Sequence, residues 1–369
     1  KDRLSPLEVR QLQEVLYKAA DLPQTVKDLV DRRIASEALQ NEKLYGFDFQ
    51  LDGASVSAND IDDRLDTATD LGERRRVWEA SKEVGRGLKE GLQEMVDLRN
   101  RTVQALGYDD YFHYQVSDYG METSEMMEIL GQFVRDLWPL YRELHTWARY
   151  ELARRYGADE VPALLPAHWL PNRWGQDWAS LVKVEGLDLD PVLAAKEPEW
   201  LVRQGEEFYV SLGFDPLPAT FWEKSSLYPA PPDADYKKNN HASAWHMDLK
   251  DDLRSLMSVQ PNARWWATAH HELGHIYYYQ AYSTPEVPIL LRAGANRAFH
   301  EAIGTMLGMA ASHQAFLEER GLIPAGTTAD STQALLREAL DSVVFIPFSA
   351  GTMSHFERDL YGGAVDIGP

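Results

Sequence analysis

Along most of this chain the apolar positions recur every three or four residues, the spacing of helices that each bury one face. Near the start, Ser5, Pro6 and Glu8 form a helix-opening signal: the hydroxyl caps, the proline takes the first helical position, and the carboxylate reaches back to the cap amide. Leu12, Val15, Leu16 and Ala19 then supply the apolar stripe. Further helical patterns cover about 72–106 and about 123–156, and stop at Gly107 and Gly157, the residue type best suited to a left-handed cap. From 158 to 181 the texture changes to proline and tryptophan, as in PALLPAHWLPNRWGQDW, and a second proline-rich loop runs from 215 to 235. Two extended runs, His241 to Met247 and Leu253 to Val259, flank a polar LKDD turn and predict a hairpin inside a mainly helical protein. A helical pattern then returns between Pro261 and Pro285, with Trp265, Trp266, Ala269, Leu273 and Ile276 as its apolar surface, and Asn296 caps another in GANRAFHEAIG. No fixed-period repeat and no inter-domain linker interrupts the series.

Composition narrows the partners. With 369 residues, 44% hydrophobic and 11% aromatic, the chain can bury a substantial core. Its formal charge of -21 repels phosphate backbones, which argues against nucleic acid or an anionic membrane as the main partner. The absence of cysteine excludes disulfides, thiolate metal sites and a cysteine nucleophile, and leaves the redox compartment open. No run approaches the roughly 18 apolar residues of a membrane span. The chain begins at Lys1 without a signal-peptide pattern, so its start is read as processed or trimmed. Asn100, Arg101 and Thr102 fit a glycosylation acceptor, but inside a helical pattern the match is read as coincidence.

The stretch AHHELGHIYYYQAY carries the chemistry. His271 and His275 are one helical turn apart, so their imidazoles share a face and can chelate one ion. Glu272 lies about 100° around the helix from His271, where its carboxylate can reach a metal-bound water and act as general base. His270 points elsewhere and is read as a packing or supporting residue. A catalytic zinc takes three protein ligands. The HExxHxxGxxH arrangement would need glycine at 278 and histidine at 281, where this chain has Tyr278 and Ala281. A glutamate from a later helix is the other solution, with Glu286, Glu301, Glu318 and Glu319 as candidates. Glu301 is preferred because it lies one turn into the helix capped by Asn296, with His300 a weaker candidate beside it. Gly304 and Gly308 would let that helix come close to the histidine helix, or serve packing alone.

These residues resemble the angiotensin-converting enzyme family, the peptidyl-dipeptidase A group of zinc metallopeptidases. PAHWLPNRWGQDW, HASAW, AHHELGHIYYYQAY, GANRAFHEAIG and FIPFS occur in that family's order. The resemblance implies a mainly α, two-lobed helical metallopeptidase with a deep central cleft and a small antiparallel sheet at the active site. It treats 1–369 as a single incomplete domain, with 1–157 as helical lid and scaffold and 158–369 as the zinc-site region. It implies one zinc per chain held by His271, His275 and Glu301, with Glu272 as base and later proton donor, and dipeptides released from oligopeptides with a free C-terminus. It casts His241 as a donor to a substrate carbonyl, Ala242 as a backbone partner on an edge strand, and Gln176 as a contact for the substrate's terminal carboxylate.

The departures are equally specific. The interval from His275 to Glu301 is two residues longer than in the animal enzymes, an insertion placed around Ser283 to Pro288 that a surface loop can absorb. Thr305 stands where the family has an aspartate that orients a zinc histidine, and its hydroxyl can accept that hydrogen bond without adding charge. The family's disulfides have no counterpart, and the arginine that would bind chloride is not evident near Gln115, so chloride has no support in the sequence. The match lacks roughly the family's last third and part of its N-terminal lid, and with them an oxyanion-stabilising tyrosine and histidine. The alternative reading is therefore a catalytically incomplete zinc- or peptide-binding module of the same fold. Export is favoured over a cytoplasmic location.

Overall fold

A computed structural model of the chain describes residues 3–231 and 233–365. The opening signal forms as expected: Ser5 N donates to Glu8 Oε2 at 2.7 Å, and Glu8 N donates to Ser5 Oγ at 3.3 Å, at the head of α1 (Pro6–Asp21). Helix α2 (Lys27–Tyr45) leads into a hairpin, β1 (Phe49–Leu51) and β2 (Ala54–Val56). Its two turn residues, Asp52 and Gly53, have φ of 53° and 81°, as a tight turn matched to strand twist requires. Then follow α3 (Ala58–Thr67), α4 (Leu71–Lys82), α5 (Val84–Gln104), α6 (Tyr111–Ser117) and the long α7 (Thr123–Arg155). Beyond the proline-tryptophan loop lie α8 (Asp190–Leu193), α9 (Pro198–Ser211) and α10 (Ala219–Lys224). A second hairpin, β3 (Ser243–His246) and β4 (Leu253–Leu256), precedes α11 (Ala263–Tyr282), α12 (Arg297–Ala311), α13 (Gln314–Glu319), α14 (Ser331–Ile346) and α15 (Ser354–Tyr361). The protein is mainly α, with two small antiparallel sheets among the described residues.

One expectation is corrected. The pattern over about 72–106 is two helices, α4 and α5, that meet at Glu83. There Glu83 N bonds to Ala80 O at 3.3 Å and Arg86 N to Glu83 O at 3.2 Å, so the turn tightens to three-residue spacing and separates the two helices. Gly107 and Gly157 behave as read, with φ of 90° and 62° just past α5 and α7.

The chain divides into two compact units. One comprises Lys1–Leu16 and Val184–Ala329, the other Tyr17–Lys183 and Asp330–Pro369. In the first, the core gathers on α11: Trp265, Trp266, Ala269, Leu273 and Ile276, all predicted as its apolar surface, are buried against α9 residues such as Phe208 and Tyr209. The Tyr209 ring stacks on Tyr277 with centroids 4.3 Å apart, and its hydroxyl donates to the His270 carbonyl at 2.7 Å. In the second, Ile61, Leu65 and Val77 close under the β1–β2 hairpin. No described helix is long and apolar enough to cross a membrane.

The β3–β4 hairpin pairs Ser243 with Leu256 and His246 with Leu253. On its other side β4 is covered by the segment at Ser226, which donates to Ser255 O at 2.9 Å and accepts from Met257 N at 2.7 Å. This leaves β3 as the edge strand. The strand is shorter than the predicted run, so His241 and Ala242 lie just ahead of it and not within it.

Candidate metal centre

Helix α11 starts where Asn262 Oδ1 accepts from Trp265 N at 2.9 Å, and its buried apolar face fixes its rotation about its axis. That rotation turns His271 and His275 together toward α12. The two Nε2 atoms are 3.1 Å apart, with the rings nearly perpendicular at 87°. Helix α12 is capped in the same way, Asn296 Oδ1 accepting from Phe299 N at 2.8 Å, and this sets Glu301 one turn in. Glu301 Oε2 lies 3.3 Å from His271 Nε2 and 3.7 Å from His275 Nε2. Donors held about 2.1 Å from a common tetrahedral centre lie about 3.4 Å from one another, so these three separations suit a divalent ion with a fourth position open. Among the described residues this is the group of histidines and acids placed to hold a metal. Of the four glutamates weighed as third donor, Glu301 is the one that reaches both histidines; Glu318, for example, is turned to Gln314 Nε2 and Gly326 N.

Close helix approach makes this possible. A Cβ placed on Gly304 would stand 3.0 Å from His271 Cε1 and from the His271 carbonyl oxygen, while one on Gly308 would meet only ordinary contacts at 3.6 Å and beyond. Gly304 is therefore needed for the approach, and Gly308 is not. The partner glycine, Gly274 within HELGH, faces Gly304 directly and escaped the sequence reading.

Glu272 is 6% exposed, and its Oε2 has no hydrogen-bond partner. Burial pushes this carboxyl up to about 7; the His271 charge pulls it down and Glu301 pushes it up. Burial works against charge on His271, but its hydrogen bond to Glu301 and the nearby Glu272 charge outweigh this and raise its pKa. Burial and the neighbouring His271 lower that of His275, and the bond to His271 lowers that of Glu301.

The surrounding candidates separate clearly. His270 is fully buried, with Nδ1 2.7 Å from the Trp266 carbonyl, and is a packing residue. His300 is outside the metal-donor group; its Nδ1 lies 2.9 Å from Nδ1 of His275. Thr305 is exposed on α12, and among the described residues no hydrogen bond joins it to either imidazole. Two bonds tie β3 to the histidine helix, from Tyr279 Oη to the Ala244 carbonyl at 3.3 Å and between Ser283 Oγ and His246 Nε2 at 3.3 Å. His241 is exposed, its amide donating to Asn239 Oδ1 at 2.8 Å. Gln176 is half-buried in the other unit. The loop expected to absorb the insertion is braced by Arg292, which donates to the carbonyls of Val287, Thr284 and Leu249 at 2.9–3.0 Å.

Comparison with known proteins identifies the family. The family profile described as Angiotensin-converting enzyme matches residues 30–366. The chain is 30% identical over 321 residues to the Angiotensin-converting enzyme of Haematobia irritans exigua, covering 83% of this chain and 51% of the relative. It is 31% identical over 304 residues to the Bos taurus protein of the same name, covering 79% and 23%. It is also 32% identical over 302 residues to the Angiotensin-converting enzyme-related protein of Drosophila melanogaster, covering 78% and 47%. The chain thus spans about half the length of the insect relatives.

Proposed function

Because the chain belongs to the angiotensin-converting enzyme family, we propose that it is a zinc peptidase that removes dipeptides from the C-terminus of oligopeptides. The observation that carries this reading is the convergence of His271 Nε2, His275 Nε2 and Glu301 Oε2 beside the buried carboxylate of Glu272. These three residues would hold the ion. When bound, zinc supplies Lewis acidity for the scissile carbonyl and makes a coordinated water a nucleophile at neutral pH.

The protein's own groups do the rest. Glu272, one residue from a ligand on the same helix, takes the proton of the attacking water and passes it to the leaving amine. Its burial serves this, since desolvation raises the carboxyl's affinity for a proton. An extended peptide pairs with the outer edge at β3, where the main chain of Ala242 continues the strand and the exposed His241 donates to a peptide carbonyl.

The test is to incubate the full-length protein with a peptide bearing a free C-terminus and with its C-terminally amidated twin. Successive dipeptides from the free form, abolished by chelation and restored by zinc, are expected. Release of single amino acids, or cleavage of the amidated peptide alone, would overturn the dipeptide reading.

A further inference from the structure

The 2.9 Å contact between Nδ1 of His275 and Nδ1 of His300 joins two nitrogens, so one proton must lie between them. Its location follows from the other end of the His275 ring. For Nε2 of His275 to present a lone pair toward Glu301 and His271, the ring's proton must be on Nδ1. Nδ1 of His300 is then the acceptor, and the His300 proton sits on Nε2, which lies 3.3 Å from Tyr282 Oη. A single assignment satisfies the chain from the metal position through His275 and His300 to Tyr282 with both rings neutral. The His300 ring is held for this task between Tyr278 and Tyr279, whose centroids are each 4.7 Å away. All of these residues lie within one compact unit.

We propose that His300 is a positioning residue that accepts the Nδ1 proton of His275 and so commits Nε2 of His275 to the metal. The inference rests on the reading of His271, His275 and Glu301 as ligands. Histidine ligands usually donate their second N–H to a carboxylate or a main-chain carbonyl. A neutral imidazole does the same work without a third negative charge beside Glu272 and Glu301. It also couples the two helices twice, because His300 steers a ligand on α11 while the next residue, Glu301, supplies one from α12. The rival for the proton is the His300 main-chain carbonyl, which also faces the His275 ring. Only substitution of the side chain separates the two.

The experiment measures zinc affinity of the metal-free protein by competition with a chromophoric chelator, alongside thermal unfolding of the metal-free form. His300→Leu, which keeps bulk and removes the acceptor, is expected to weaken zinc binding about 10- to 100-fold. His300→Asn, whose amide oxygen can accept the same bond, is expected to recover most of that loss. Long-range proton–nitrogen correlation of the zinc-loaded parent should show His300 protonated on Nε2. Zinc binding by His300→Leu equal to that of the parent would overturn the proposal in favour of the main-chain carbonyl, and so would a His300 proton on Nδ1. Should His300→Leu fail to fold, the His300→Asn affinity and the parent's tautomer decide the question. A parent that binds no zinc would overturn the ligand reading itself, while tight zinc binding without peptide cleavage would overturn the proposed activity and leave this inference standing.

Discussion

Gly274 and Gly304 meet face to face across α11 and α12: a Cβ placed on Gly274 would stand 2.8 Å from the Gly304 Cα and 2.9 Å from Tyr209 Oη. Neither obstacle is a flexible chain end, since one is backbone and the other belongs to a buried ring whose hydroxyl is bound to the His270 carbonyl. The helices must separate to admit a methyl group. Separation moves Glu301 away from the histidines, so packing and ligand geometry change together.

Gly274→Ala is therefore expected to cost about 1–3 kcal/mol of stability as an overpacked contact and to weaken zinc binding. Gly304→Ala should do the same to a lesser degree, because its Cβ would meet His271 at 3.0 Å. Gly308→Ala is the control: its nearest neighbours are at 3.6 Å, and the higher helix propensity of alanine should leave stability unchanged or raise it by up to about 1 kcal/mol. Urea unfolding and chelator competition on the three variants test the series. Equal behaviour of Gly274→Ala and Gly308→Ala would contradict it.

Much of this site was legible because its signals are local. His271 and His275 are related by helical spacing alone, and Glu301 by its place after the Asn296 cap, so neither needed knowledge of the fold. What escaped depends on partners distant in sequence. Gly274 reads as an ordinary residue inside a motif until Gly304 is set against it, and His300 reads as a spare ligand until its ring meets that of His275. The β1–β2 hairpin is a different kind of miss, since Asp52-Gly53 between short alternating runs is a local turn signal that was overlooked. The break at Glu83 is different again. The apolar pattern continues through it, and only the three-residue bonding around Glu83 reveals the interruption.

Glu272→Gln separates metal binding from proton transfer. The amide is nearly isosteric and cannot take a proton, so activity should fall by about 10²- to 10⁴-fold. Zinc affinity should persist, since the Glu272 carboxylate is not among the three converging donors. Dipeptide release and zinc content measured on one preparation check both halves. Residual turnover near the parent's would remove Glu272 from the role of base.

The second unit offers a pH test independent of any metal. His145 lies against Tyr141 and Trp178, with ring centroids 6.0 and 6.1 Å away, and burial, followed by the Arg149 charge, lowers its pKa. Its folded pKa is thus below the unfolded value of about 6.5, and the unfolded chain binds the proton more readily. The contribution of the neutral ring is fully present above that value and is lost as pH falls below it. Urea midpoints at pH 7.5 and 5.5 should show a smaller drop for His145→Leu than for the parent, and an equal drop would exclude His145 as a contributor.

Tyr279 links the metal helix to the edge strand, so it can be probed for an effect on peptide binding apart from chemistry. Its hydroxyl donates to the Ala244 carbonyl at 3.3 Å, and Tyr279→Phe removes that bond while keeping the ring that packs on His246 and His300. A neutral hydrogen bond of this kind contributes about 0.5–1.5 kcal/mol, so the fold should survive. Freed from this tether, β3 presents a less ordered edge, and the cost of ordering it is met only when a peptide pairs with it. KM should therefore rise severalfold while zinc affinity stays at the parent's level, because His271, His275 and Glu301 do not depend on the tether. Peptide kinetics and chelator competition distinguish this from a general loosening of α11, in which zinc affinity would fall along with peptide affinity.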